Sequence, residues 1–394
     1  MDRVFEIEEF GAKPDISELS TTAIQKAIDA CHREGGGTVL CTPGTFLTGT
    51  LELRSNVELH LAAGCRLVAS TDLSHYQQFS CEGFHPEHAP EGCTEHLIRA
   101  VDAHRVAITG PGEINGSGLS FYDTSATPAG GRFFSKPQTP RPRMVMMCRC
   151  RDVRLEETSF VDSPCWTFWL MRCEDVSVRG IRVIGDQRMI NNDGLDLDSC
   201  RNVVVSDCLF RTGDDCIVLR SISQMFDEPS ACEQIAVTNC VLDSWCQGVR
   251  VGCPGDGVIR NAVFSNLVIV SSGNGILFEF PKRYLPADGK AGADVGEISF
   301  SHIVMRCAGA PVKVAVEEGI RLARLENLSF SHFSIRSGGP IIIEGSSQTP
   351  VRDVRCADIS LETAGAETVV CRHCERVTMS GVDISNRQAA SAGT

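Results

Sequence analysis

The chain has 394 residues with 50 Asp and Glu against 37 Lys and Arg, a formal net charge of −13, which argues against the basic face that a nucleic-acid partner requires. Hydrophobic residues make up 42% of it, but no apolar run of about eighteen residues occurs, so neither a membrane-spanning helix nor a membrane partner is expected. Length alone would suggest two or three domains.

From the N-terminus, Met1-Asp2-Arg3-Val4-Phe5 leads on without an apolar signal segment. The expected location is cytoplasmic if Met1 is the native start, and secreted or periplasmic with the signal removed otherwise. Residues Thr21 to Arg33 place Ala23, Ile24, Ala27, Ile28 and Cys31 on one face, the pattern of an amphipathic capping helix. From about Thr38 onward the chain reads as strands and turns. Cys81, His85, His88, Cys93 and His96 look like a metal cluster, but zinc sites use tighter paired spacing. The segment is therefore read as a loop shielding a groove, with no metal and no cofactor expected. The Pro-, Gly-, Ser- and Thr-rich stretch from Tyr122 to Pro142 is a long excursion. Trp166 and Trp169 alternate in a strand and are expected in the core. Tyr122, Phe278 and Tyr284 are the aromatic candidates for a groove.

Further along, apolar residues recur at offsets 0, +2, +5 and +7: Val176-Val178-Ile181-Val183, Val203-Val205-Cys208-Phe210, Ile235-Val237-Cys240-Leu242, Ala262-Phe264-Leu267-Ile269, Ile298-Phe300-Ile303-Met305, Leu328-Phe330-Phe333-Ile335, Val354-Cys356-Ile359-Leu361 and Val377-Met379-Val382-Ile384, with a weaker copy from Val153. Blocks of this period signal a solenoid. Each holds two short alternating strands around a bend, stable only when stacked, and the Val-, Ile-, Phe- and Cys-rich inward positions suit a parallel β-helix. One all-β solenoid domain is expected over residues 1–386, its core growing lengthwise, with a disordered tail over 387–394. Most of the 20 cysteines are read as reduced thiols, many of them packed in core or turn positions.

Two acidic clusters fall in phase with this repeat, Asn191-Asn192-Asp193-Gly194-Leu195-Asp196 and Gly213-Asp214-Asp215-Cys216-Ile217. If one coil consumes the residues between them, neighbouring strands roughly 4.8 Å apart stack Asp193 on the Asp214/Asp215 pair. Three carboxylates in one patch are the equipment of glycosidic-bond hydrolysis.

These motifs resemble glycoside hydrolase family 28, the polygalacturonases, within the pectin-lyase-like β-helix group. The resemblance covers nearly the whole chain. It includes Phe10-Gly11-Ala12-Lys13, Gly35-Gly36-Gly37-Thr38-Val39, Ile108 to Gly116, Arg141-Pro142-Arg143, Ser163-Pro164-Cys165-Trp166 and, most specifically, Asn-x-Asp-Gly-x-Asp and Gly-Asp-Asp-Cys-Ile. It implies a right-handed parallel β-helix and inverting hydrolysis, with Asp214 as general acid and with Asp193 and Asp215 holding and deprotonating water. Clustered like charges raise at least one carboxyl pKa, which suits that division.

The next coils depart from the family. Where it carries Gly-His-Gly, this chain has Cys246-Gln247-Gly248, and where it carries Arg-Ile-Lys, this chain has Gly275-Ile276-Leu277-Phe278-Glu279. Gln247 carries no charge, and Glu279 should repel a uronate carboxylate. The substrate expected is thus a pectin-related or other plant-type glycan rather than plain homogalacturonan, bound through Asn191, Gln247, Arg250, Arg220, Glu279, Lys282, Arg283 and Tyr284. An oligo- or polysaccharide is the expected partner, and the chain a monomer or weak homo-oligomer. Two other classes stay open: a lyase or epimerase on the same architecture, using calcium or a basic centre beside a uronate, and a non-catalytic glycan-binding β-helix.

Overall fold

The spacing of the apolar positions has a backbone cause. Side chains alternate along a strand, so offsets 0 and +2 point inward together, but +5 and +7 do so only if one step is absorbed between them. In the computed structural model a residue with positive φ stands just before each block and again four residues into it. Examples are Asn202 (55°) and Asp207 (60°), Asn261 and Asn266 (both 53°), Asn327 and His332 (both 56°), and Arg376 (56°) and Gly381 (61°). Asn, Asp, His and Gly tolerate this left-handed region best, and they dominate these positions. Each kink resets the inward direction, giving the two-strand repeat.

The structure describes residues 3–92, 94–125, 131–253, 255–282 and 292–386. They form two compact units, residues 1–214 with 224–228 and residues 215–223 with 229–394, each built of right-handed parallel β-helix coils. The tail 387–394 lies outside the described residues, as do Arg283 and Tyr284.

The first unit opens with helix α1 (Thr21–Arg33), which buries Ile24, Ala27, Ile28 and Cys31 against the strands Val4–Glu6, Gly37–Cys41 and Val57–Leu61. The helix covers the open end of the coils, as its amphipathic pattern predicts. Beyond it, Arg151–Glu156, Glu174–Arg179 and Arg201–Ser206 pair in parallel, with Val153, Val176 and Val203 aligned. On the second sheet, Val145, Phe168 and Leu195 align in the strands Arg143–Cys148, Phe168–Met171 and Leu195–Asp198. These three strands are buried along their whole length, so both of their faces are covered. Trp166 and Trp169 are buried, as expected.

In the second unit the strands Val258–Ser271, Asp294–Cys307, Arg324–Ser337, Val351–Thr363 and Cys374–Asn386 keep Ala262, Ile298, Leu328, Val354 and Val377 in register. Register brings like onto like: the Phe264 and Phe300 rings stack at 4.6 Å, and those of Phe300 and Phe330 at 5.6 Å. Phe278 stands edge-on to this ladder, fully buried. Its assignment to a groove is therefore corrected, because an alternating strand turned its ring into the lumen. Tyr122 is corrected likewise: it is 7% exposed and packs with Phe134 and Met189.

The described cysteines carry thiols, most of them buried. Cys200 Sγ donates to the Leu170 carbonyl at 3.1 Å. Burial is the main cause holding the Cys173 thiol well above its ordinary pKa, so these groups pack as small apolar residues.

Candidate active site

In the first unit the chain turns sharply through Gly185 to Asn192 before entering the strand Leu195–Asp198. Asp193, at the head of that strand, is 4% exposed, and its backbone carbonyl accepts the Thr167 N–H at 2.9 Å. Asn192 accepts the Asp214 backbone N–H on its own carbonyl at 3.3 Å, linking the two acidic segments through the main chain. Gly213, which precedes the aspartates, lies so close to Met189 that a Cβ would stand 2.1 Å from the Met189 carbonyl oxygen. Only glycine fits there.

Asp214 is partly exposed. Its Oδ2 accepts the Asn191 backbone N–H at 3.1 Å. Asn191 itself is left-handed, with φ 59°, and 8% exposed, and its Oδ1 accepts from Arg141 Nη2 at 3.1 Å. Expected at a sugar-binding surface, the Asn191 side chain instead engages a buried guanidinium.

In the second unit Asp215 is 1% exposed. Arg250, on the strand Val249–Gly252, reaches Asp215 Oδ2 with Nη1 at 3.1 Å and Glu279 Oε2 with Nη2 at 2.5 Å. Burial works to lower the Arg250 pKa, but the facing charges, Asp215 first, outweigh it and hold the guanidinium above its ordinary value. Glu279 lies on the neighbouring strand Ile276–Phe280, in register with Gly252, which sets its carboxylate beside the arginine. The sequence contains both residues but not their pairing.

Gln247 is 7% exposed, and its Oε1 accepts the Asn274 backbone N–H at 3.1 Å and the Asn274 side-chain amide at 3.3 Å. It braces the next coil. Arg220, read as a substrate-binding cation, is 2% exposed on the strand Ile217–Arg220. Lys282 is exposed, and its backbone N–H donates to Glu317 Oε2 at 2.8 Å.

Cys81, His85 and His96 of the metal-like loop take separate partners. Cys81 Sγ lies 3.6 Å from Cys148 Sγ, His85 Nε2 lies 2.8 Å from Asp227, and His96 is buried with Nδ1 3.1 Å from the Thr94 carbonyl. Cys93 is outside the described residues. Burial pushes the His96 pKa down to about 4.

The two arginines of the Arg-Pro-Arg motif hold buried positions that sequence reasoning does not assign. Arg143 is fully buried, its guanidinium 3.9 Å and 4.2 Å from the ring centres of Trp166 and Trp169, with Nη2 donating to the Pro90 carbonyl at 2.6 Å. Arg141, 1% exposed, is the anchor of Asn191. Arginines flanking a proline, next to a long excursion, were the available signal, since arginine is rarely buried without specific partners.

The glycosyl hydrolases family 28 profile matches residues 59–318 of the chain. A probable polygalacturonase of Vitis vinifera is 26% identical over 279 residues, a match that covers 68% of this chain and 55% of that protein. An endo-polygalacturonase of Pectobacterium carotovorum subsp. carotovorum is 21% identical over 360 residues, 88% of this chain and 85% of that one. Among solved structures, the hyperthermoactive exopolygalacturonase of Thermotoga maritima superposes with a TM-score of 0.77 at 23% identity, over 98% of this chain and 92% of that one. With the profile matching well over half of its length, the chain belongs to glycosyl hydrolases family 28.

Proposed function

We propose that the protein is an inverting glycoside hydrolase acting on a pectin-related or other plant-type glycan, with a neutral sugar rather than a galacturonate in the cleaved subsite. Family membership and the relatives named polygalacturonase support a pectic substrate. The observation that carries the finer reading is the Arg250 bridge: its guanidinium is committed to Asp215 and Glu279, so those three groups together carry one net negative charge. A uronate carboxylate brought beside them would meet repulsion.

In this reading Asp214 protonates the departing glycosidic oxygen, while Asp193 and Asp215 hold and deprotonate the attacking water. The local partners suit those roles. The Arg250 guanidinium beside Asp215 favours its ionised form, as a base requires. Asp214 is partly exposed, and the Asn191 N–H on its Oδ2 fixes the orientation of its carboxyl.

The test is reducing-sugar release from homogalacturonan, rhamnogalacturonan and neutral glycans by wild type and Asp214→Asn, with the first-formed anomer followed by NMR. Release of an inverted anomer from a glycan other than homogalacturonan, lost in the variant, is the expected result. Preference for homogalacturonan would overturn the subsite reading. Retention of anomeric configuration, or activity surviving in Asp214→Asn, would overturn the mechanism.

A further inference from the structure

Between described residues of the Tyr122 to Pro142 excursion and the turn that carries Asn191 lies a polar cluster whose arginine, Arg141, takes no part in the chemistry proposed above. Arg141 Nη1 donates to Tyr122 Oη at 2.5 Å and to the Ile190 carbonyl at 3.1 Å, and Nη2 donates to Asn191 Oδ1 at 3.1 Å. Tyr122 Oη passes its own proton to the same Ile190 carbonyl at 2.5 Å. The excursion is tied to this turn a second time, where the Phe134 N–H donates to the Arg188 carbonyl at 2.8 Å and the Arg188 guanidinium covers the Phe134 ring. Arg141 is 1% and Tyr122 7% exposed, and all of these residues belong to the first unit.

We propose that Arg141 is a positioning residue for Asp214, acting through Asn191. The inference rests on the reading of Asp214 as the general acid.

Burying a guanidinium costs several kcal/mol unless its donors are well used. Here a rigid fork meets a carbonyl, a phenol and an amide oxygen at fixed angles, geometry that a lysine ammonium does not reproduce. These bonds grip residues 190 and 191 on both sides of one peptide. They hold Asn191 in its left-handed conformation, which is uncommon for a residue with a side chain. That conformation aims the Asn191 N–H at Asp214 Oδ2. A carboxyl oxygen that accepts an N–H is a poorer site for the acidic proton, so the tether also orients the carboxyl and favours Oδ1 as the oxygen that carries it. Arg141 thereby sets where the acid's proton points without touching substrate.

Arg141→Lys keeps the charge and loses the fork. Asn191→Gly removes the side-chain tether while glycine still tolerates the positive φ. Both are measured beside wild type by amide hydrogen exchange at residue 191 in selectively labelled protein, by melting temperature, and by kcat and KM on the panel glycan that wild type hydrolyses best. The expected result is about tenfold or more faster exchange at residue 191, and a kcat lower by about 10- to 100-fold with KM within about twofold, since a displacement of about 1 Å at a catalytic group costs about that much. If Arg141→Lys fails to fold, Tyr122→Phe, which removes a single oxygen, takes its place with the same direction of change. Unchanged exchange at residue 191, or a loss confined to KM, would overturn the proposal. A wild type inert on every glycan would defeat the hydrolase reading, and amide exchange alone would then decide whether Arg141 holds residue 191.

Discussion

Asp214 and Asp215 are adjacent in sequence, yet the two units give them opposite surroundings. In the first unit Asp214 takes a neutral backbone N–H from Asn191, and the nearby arginine is held one residue away, its Nη2 on the Asn191 amide oxygen. In the second unit the buried Asp215 meets the guanidinium of the partly exposed Arg250 directly. The contrast gives the two members of one Asp-Asp dipeptide different partners, and the cation beside Asp215 favours its charged form.

The largest effect expected from breaking that contrast is catalytic. Asp214→Asn should lower hydrolysis by about 10²- to 10⁴-fold, the range contributed by general acid catalysis, with little change in thermal unfolding, because its tether to Asn191 is a neutral hydrogen bond that an amide oxygen also accepts. Arg250→Met should do the reverse to the fold. Removing the countercharge from buried Asp215 should cost about 3–5 kcal/mol of stability, read by denaturant unfolding. Equal stability losses in the two variants would erase the distinction between the units.

An intermediate effect belongs to His96. Its folded pKa of about 4 lies below the unfolded value of 6.5, so between those pH values the unfolded chain holds a proton that the folded chain lacks. Stability should therefore fall as pH drops from 6.5 to 4, by about 3 kcal/mol, and His96 should contribute no further change below pH 4. His96→Gln should flatten that part of the curve, and an unflattened curve would assign the loss to other groups. The smallest effect concerns substrate: Glu279→Gln should improve KM for polygalacturonate by about fivefold, roughly 1 kcal/mol, and the gain should shrink in salt. A KM unmoved by the change would place Glu279 away from the sugar.

Much of the architecture was legible from local pattern. The helix Thr21–Arg33 and the apolar offsets of each block depend on periodicity within a few residues, and the kinks that explain the odd spacing fall mostly on Asn, Asp, His and Gly, as their backbone preferences require. Family membership was legible for a related reason, since Asn-x-Asp-Gly-x-Asp and Gly-Asp-Asp-Cys-Ile are contiguous strings. Phe278 and Tyr122 depart from their expected groove positions because the lumen and the Phe134 cluster claim their rings, contacts that a turn-like or insertion context does not reveal. Partners from different coils were out of reach altogether. The residue types by themselves determined a parallel β-helix and three candidate carboxylates. Only the tertiary structure decided that Arg250 is spent on Asp215 and Glu279, and that Arg141 reaches Asn191 from 50 residues away. Those pairings depend on which coil lies against which and how far a loop folds back, and no local periodicity encodes that.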